Sequence, residues 1–256
     1  MNPWDEKFFS FLKTIMDTVF SGHNIYMREM KAQNYANNAE LIKIDPERIK
    51  SLRVRPLLKI GTESSSVYTA TLGDASVVLK KIPSLSDAKK EAALQHKAAI
   101  HGIAPMIFRV NKSGICMEHI QPGTTLYAVL QKNKGNLSEH TQRDLIRLFK
   151  KLDRCGVAHN DPNPLNFVYK GKKLIAIDFG MAQLVNPADK KNEQQMTLGL
   201  ALMIRQIFPS SLVPRVLIES LPASFQTIYK TATEEQAAAS VGQLRRSRKR
   251  GLLPPK

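Results

Sequence analysis

Asp161 and Asn166 stand five residues apart in the stretch His159-Asn160-Asp161-Pro162-Asn163-Pro164-Leu165-Asn166-Phe167. A second carboxylate, Asp178, follows a short apolar run in Ile177-Asp178-Phe179-Gly180. This set of groups suits transfer of a phosphoryl group from ATP. One carboxylate, Asp161, would orient the attacking hydroxyl. The amide oxygen of Asn166 and the carboxylate of Asp178 would hold the Mg²⁺ ions that bridge the phosphates. An H-x-D triplet alone arises by chance; the order and spacing of the two halves carry the signal.

Such groups need elements to position them. From Leu57 the pattern reads as strands. Leu57-Leu58-Lys59-Ile60 leads into Gly61-Thr62-Glu63-Ser64-Ser65-Ser66, and Val67-Tyr68-Thr69-Ala70 resumes the strand. Gly73-Asp74 reads as a hairpin turn, and Ser76-Val77-Val78-Leu79-Lys80 as a third strand. By itself a Ser/Gly turn is an ordinary hairpin loop. Here its free backbone N–H groups could also approach phosphate. Lys80 ends an apolar strand, where its ammonium could pair with phosphates. Lys81 points to the other face by strand alternation. A helix from about Ser86 to Ile100 places Glu91 on the same side as Leu94 and Ala98. A surface helix carries many solvated glutamates. With Lys80 just upstream, Glu91 becomes its expected partner.

Gly102 should end that helix. Strands at Met106–Val110 and Ile115–Ile120 form a hairpin across Asn111-Lys112-Ser113-Gly114. The segment Met117-Glu118-His119-Ile120-Gln121-Pro122-Gly123 is the natural hinge. Adenine would bond to backbone near Glu118 and Ile120, with Met117 lining its pocket. Thr125–Lys132 reads as a short helix. Ser138 caps a longer one, with Leu145, Leu148, Phe149 and Leu152 on one face and a stop at Gly156. Phe167–Tyr169 and Leu174–Ile177 flank Lys170-Gly171-Lys172-Lys173 as a hairpin that brings Asn166 and Asp178 to one end. Met196–Phe208 is apolar on most sides and reads as a buried helix. Shorter helices are expected near 213–220, 223–231 and 233–244.

At the N-terminus, Trp4, Phe8, Phe11, Leu12, Ile15, Met16 and Val19 form an apolar stripe of helical period. Its polar face is not strongly basic, so packing against the main body is favoured over binding a membrane surface. The chain divides into that helix and a linker (1–50), a first lobe (51–120), a second lobe (121–243) and a basic tail (244–256). The tail holds Arg245, Arg246, Arg248, Lys249, Arg250 and Lys256 and no acid.

The 256 residues carry 38 Lys+Arg against 22 Asp+Glu, a net charge of +16 that favours anionic partners such as RNA, an acidic protein or a membrane glycolipid. A basic surface spread over solvated faces is the plainer account. The two cysteines, Cys116 and Cys155, offer neither a metal-ligand spacing nor a disulfide framework, so no disulfide-linked partner is expected and a reducing compartment is the default. No apolar run approaches the ~18 residues of a membrane span. The N-terminus has Asp5 and Glu6 where a secretory signal is basic. These features point to the cytoplasm; the tail leaves nuclear import open, and the charge leaves peripheral membrane binding open.

Residues 57 to about 208 resemble the compact, RIO-like branch of the protein-kinase superfamily. Within it they are most similar to the kinase subunit of the KEOPS complex, a small Ser/Thr kinase or ATPase linked to tRNA modification. Three stretches carry the likeness. Ile60-Gly61-Thr62-Glu63-Ser64-Ser65-Ser66-Val67-Tyr68 is similar to a glycine-poor phosphate loop. Glu91-Ala92-Ala93-Leu94, Gly102-Ile103-Ala104-Pro105 and Ile115-Cys116-Met117-Glu118 are similar to the helix and hinge. Leu244-Arg245-Arg246-Ser247-Arg248-Lys249-Arg250 looks like the basic C-terminus of that subunit. The loop Asp161-Pro162-Asn163-Pro164-Leu165-Asn166-Phe167 instead looks like that of lipopolysaccharide core heptose kinases. The helix near Met196 lacks the acid that in this superfamily anchors the catalytic loop from below.

The resemblance implies an α+β, two-lobed kinase-like fold, with a small β-rich N-lobe holding one main helix and a reduced helical C-lobe. It implies Asp161 as base, Lys80 paired with Glu91, and Asn166 and Asp178 as metal ligands. Ile60, Gly61, Ser64, Ser65, Val67, Lys80, Met117, Glu118 and Ile120 would line an ATP site. The expected activity is ATP- and Mg²⁺-dependent phosphorylation of Ser or Thr in a protein. Phosphorylation of a sugar at a membrane surface and a nucleotide-binding scaffold are the alternatives.

Overall fold

The computed structural model describes residues 54–60, 67–72, 75–112, 114–120, 123–188 and 191–234. The expected N-terminal helix and linker, the phosphate loop at 61–66, the Gly73-Asp74 turn and the basic tail lie outside the described residues.

The N-lobe is built on strands β1 (Val54–Ile60), β2 (Val67–Leu72), β3 (Ala75–Lys80), β4 (Ile107–Asn111) and β5 (Gly114–Glu118), with helix α1 (Leu85–Ala99) between β3 and β4. They form one antiparallel sheet of order β1-β2-β3-β5-β4. In β3 the pleat turns Val77 and Leu79 into the core while Ser76 is exposed and Val78 and Lys80 are half-buried. Val77 and Leu79 pack with Ala70 and Cys116 in a small cluster, and burial pushes the Cys116 thiol up to about 11. Ser84 caps α1, its hydroxyl accepting from Asp87 N at 3.3 Å. Gly102, at φ +63°, closes the helix in the left-handed conformation that favours glycine.

The C-lobe holds α2 (Leu126–Lys132), α3 (Glu139–Arg154), α4 (Lys191–Ile207), α5 (Arg215–Glu219) and a helix over 223–234, α6. Two small sheets accompany them. One has the order β6 (Thr124–Thr125), β8 (Phe167–Lys170), β9 (Lys173–Ala176); the other pairs β7 (Val157–Ala158) with β10 (Gln183–Leu184). The arrangement is a two-lobed α+β fold of the kinase kind. Its main core is continuous across the lobes: Leu94, Ala98, Ala99, Ile103 and Ala104, on and after α1, share one buried cluster with Leu126, Leu145, Phe149, Phe167, Phe179 and Leu200. The C-terminal half of α1 is therefore seated by C-lobe side chains.

Three boundaries differ from the sequence expectation. The helix expected from Met196 starts at Lys191 and so includes Glu193, a buried acid. The two helices expected near 223–231 and 233–244 run on through 223–234 among the described residues. The Thr233 hydroxyl there donates to the carbonyls of Tyr229 and Lys230, so the β-branched polar residue is satisfied inside the helix. Strand β5 ends at Glu118, two residues before Ile120. Among the described residues no helix is long and apolar enough to cross a membrane.

Candidate active site

Antiparallel register sets the first part of the site. Ile60 lies opposite Val67, Val67 opposite Lys80, and Lys80 opposite Ile115, so residues from four strands form one row across the sheet. Lys80 stands at the end of β3. Its Nζ lies 2.7 Å from Glu91 Oε1 and 2.6 Å from Asp178 Oδ1. Lys81 goes the other way, its ammonium 4.6 Å from the centre of the Tyr68 ring.

The β8–β9 hairpin supplies the second part. Phe167 pairs with Ala176, and one step beyond that pair Ile177 N donates to Asn166 O at 2.9 Å. Asn166 and Asp178 thus leave the same end of one hairpin. β7 delivers the loop bearing Asp161, and its pairing with β10 holds the chain entering that loop against the chain leaving Gly180. Within the loop, Asp161 Oδ2 accepts from Asn166 Nδ2 at 2.7 Å and Oδ1 accepts from Asn163 N at 3.1 Å. Asn166 donates through its amide nitrogen, which leaves its amide oxygen for a cation. Asp178 adopts φ +62°, and Gly180 N donates to its Oδ1 at 3.3 Å. A Cβ on Gly180 would sit 3.3 Å from that oxygen and 3.5 Å from Glu91 Oε2, so glycine here makes room for the charged cluster.

Burial acts first on the ionisations, and the partners then decide. Burial alone would lower the Lys80 pKa, but Glu91 and Asp178 outweigh it and hold the ammonium above its usual value. Burial raises Glu91 more than Lys80 lowers it. For Asp178 the desolvation is overcome by Lys80, by its hydrogen bonds and by His159, and its carboxyl falls below the usual range. Among the described residues the Lys80 ammonium stands against the Glu91 and Asp178 carboxylates. The local charge therefore favours a further cation.

The oxygen donors of Asn166 and Asp178 match what a Mg²⁺ ion takes from a protein when phosphates supply the rest of its shell. Among the described residues no group of three or more His, Cys, Asp or Glu could hold a metal ion.

At the hinge, Met117 is buried, and its Sδ accepts from Gln95 Nε2 at 3.5 Å. Glu118 N donates to Met106 O at 2.8 Å, and its carboxylate meets Met106 N and the Lys170 ammonium. Ile120 is half-buried just beyond. Gly61, Ser64 and Ser65 lie outside the described residues.

Several residues that shape the site were not singled out by the sequence. His159 is fully buried against Phe167 and Phe179, with Nε2 2.9 Å from Ile177 O. Asn160 takes φ +61° and donates to Met181 O at 3.2 Å, tying the Asp161 loop to the segment after Gly180. Asn163 caps the short 3₁₀ turn Pro164–Asn166 through Leu165 N. Asn before Pro is an available turn signal, and Asn tolerates positive φ. Neither property says which chemistry the turn serves.

A "Probable serine/threonine-protein kinase BUD32 homolog" of Archaeoglobus fulgidus is 27% identical over 139 residues, which cover 54% of this chain and 57% of the archaeal protein. The chain thus spans a little over half the length of that curated relative. The RIO domain family matches residues 69–213, a stretch that contains Lys80, Glu91, Asp161, Asn166 and Asp178. That match covers more than half of the chain, and the chain belongs to the RIO domain family of the kinase superfamily.

Proposed function

We propose that the chain is an ATP- and Mg²⁺-dependent phosphotransferase acting on a serine or threonine hydroxyl of a protein. The observation that carries this reading is the meeting of Lys80 with both Glu91 and Asp178, at 2.7 and 2.6 Å, beside a loop in which Asp161 and Asn166 are joined at 2.7 Å. The protein's task in such a reaction is positioning and charge stabilisation. Lys80, oriented by Glu91, binds phosphate oxygens. Asp161, held by Asn163 N and Asn166 Nδ2, orients the acceptor hydroxyl and takes up its proton at a carboxylate oxygen. Asn166 Oδ1 and the Asp178 carboxylate hold the metal, which supplies neutralisation of charge on the phosphates.

Val67 would lie against the base, with Met117 behind it. Because Glu118 N–H is already donated to Met106 O, the backbone donor for a purine comes from beyond Glu118, at Ile120. The name of the archaeal relative, a serine/threonine-protein kinase, supports a protein acceptor. The likeness of Asp161–Phe167 to heptose kinases keeps a glycolipid hydroxyl as the alternative acceptor.

The test follows labelled phosphate from ATP with Mg²⁺ onto a casein-like protein and, in parallel, onto a lipopolysaccharide core glycolipid. Label on protein, lost in Asp161→Ala with nucleotide binding retained, is expected. Label on the glycolipid alone would replace the acceptor. Nucleotide-dependent stabilisation with neither product would make the chain a scaffold.

A further inference from the structure

Helix α4 runs beneath the Asp161 loop, with Gly199 against Pro162. Its one carboxylate residue, Glu193, lies in the first turn; Glu193 N donates to Asp153 Oδ2 at 3.0 Å, and Glu193 Oε1 lies 3.8 Å from Lys150 Nζ, both partners on α3. The next turns are Met196, Thr197, Leu198, Gly199, Leu200 and Ala201. Gly199 is the only glycine in the helix, flanked by buried Leu198 and Leu200. Glycine is a poor helix former, so mid-helix it calls for a packing reason. The reason is close at hand. A Cβ built on Gly199 would lie 2.9 Å from Pro162 Cγ and 3.3 Å from Pro162 Cβ. Pro162 is the residue directly after Asp161, and its ring is rigid, so it cannot swing clear as the tip of a long side chain would.

We infer that Pro162 seated on Gly199 anchors the Asp161 loop on α4 through an apolar contact, and that both are positioning residues for Asp161. The inference rests on the reading of Asp161 as the group that orients the acceptor. The ring fixes the backbone at the first step after Asp161. Asn163 N then meets Asp161 Oδ1, Asn166 N meets Asn163 O, and Asn166 Nδ2 meets Asp161 Oδ2. A shift at Pro162 is passed along all three bonds. Each sets the direction of the Asp161 carboxylate or the Asn166 amide. A methyl group at 199 forces the loop away from α4, while helix propensity alone would make alanine the better residue.

Gly199→Ala, Pro162→Ala and the double variant, all in the full chain, test this. Three quantities are read: thermal midpoint, amide hydrogen exchange over residues 159–167, and steady-state phosphoryl transfer. Gly199→Ala is expected to lower the midpoint despite the better helix propensity of alanine, to speed exchange at Asn163 and Asn166 at least tenfold, and to lower kcat at least tenfold with KM for ATP changed less than threefold. The double variant, lacking Pro162 Cγ and so the collision, recovers kcat and protection from the Gly199→Ala level to that of Pro162→Ala. Should Gly199→Ala not fold, Pro162→Ala alone is decisive: faster exchange over 159–167 supports the anchor. Unchanged exchange in whichever single variant folds overturns it, as does loss of kcat without rescue. If the wild-type chain transfers no phosphate, the functional reading fails by itself, and the exchange data still decide whether Gly199 seats the loop.

Discussion

The amide of Ala176 donates to the carbonyl of Ile103 at 2.9 Å, joining strand β9 to the turn that follows α1. The bond crosses from the C-lobe hairpin carrying Asn166 and Asp178 to the N-lobe helix carrying Glu91. Together with the shared core, it means that Glu91 is placed by C-lobe packing as well as by its own sheet.

A consequence concerns stability. Leu94 is buried one turn from Glu91, in the cluster that spans both lobes. Leu94→Ala should cost about 2–5 kcal/mol through lost burial and the cavity left behind. Because the core is continuous, urea unfolding followed by far-UV circular dichroism should stay a single transition, shifted to lower midpoint. Separate loss of the two lobes would contradict a common core.

Lys80 bridges Glu91 and Asp178. Lys80→Met should reduce phosphoryl transfer by about 10²–10³-fold, the usual scale for removing one preorganised charge at a reacting group. It also leaves Glu91 buried without its partner, at a cost on the order of 3 kcal/mol. Glu91→Gln keeps shape and removes the facing charge, so its stability loss should be smaller. Initial rates and urea midpoints on both variants check the ranking.

His159 carries a pH dependence. Burial lowers its pKa below the ordinary 6.5, although the Ile177 carbonyl and the nearby Asp161 and Asp178 act in the opposite direction. The unfolded chain takes up a proton near 6.5 while the folded chain resists it. The contribution of neutral His159 is therefore fully present above 6.5 and lost as pH falls below it toward the folded value. The slope due to this group cannot exceed about 1.4 kcal/mol per pH unit. His159→Gln, which retains a donor for Ile177 O, should show a shallower loss of stability between pH 6.5 and 5 than the wild type. Equal slopes would assign the titration elsewhere.

Asn160 has a conformational role separable from its hydrogen bond. At φ +61° an alanine pays about 1–2 kcal/mol that glycine does not. Asn160→Gly should keep the loop conformation and lose only the bond to Met181 O, whereas Asn160→Ala loses both. Thermal midpoints should fall in the order Asn, Gly, Ala, and activity should follow the same order. Alanine tolerated better than glycine would show that backbone strain at 160 is unimportant.

Much of this arrangement is legible in the sequence. Strand alternation separated Lys80 from Lys81, and helical periodicity put Glu91 on the face of Leu94 and Ala98. The hairpin flanking Lys170–Lys173 brought Asn166 and Asp178 to one end. Each of these is a short-range rule, a period of two or 3.6 or a tight turn, and such rules act over neighbouring residues. The start of α4 is not legible in the same way, because Asn192 and Glu193 are polar yet buried, and the backbone N of Glu193 is held by Asp153 of another helix.

The sequence by itself determined which groups could do chemistry, in what order, and on which local elements they ride, because spacing and periodicity are properties of the chain. Only the tertiary structure decided what holds them together. Lys80 and Asp178 are 98 residues apart yet 2.6 Å from one another, and that meeting depends on a core shared by two lobes. Pro162 stands in the catalytic-type loop and Gly199 in the apolar helix, 37 positions later in the chain. Their fit appears only when α4 passes under the loop, since steric contact between distant segments leaves no period in the sequence.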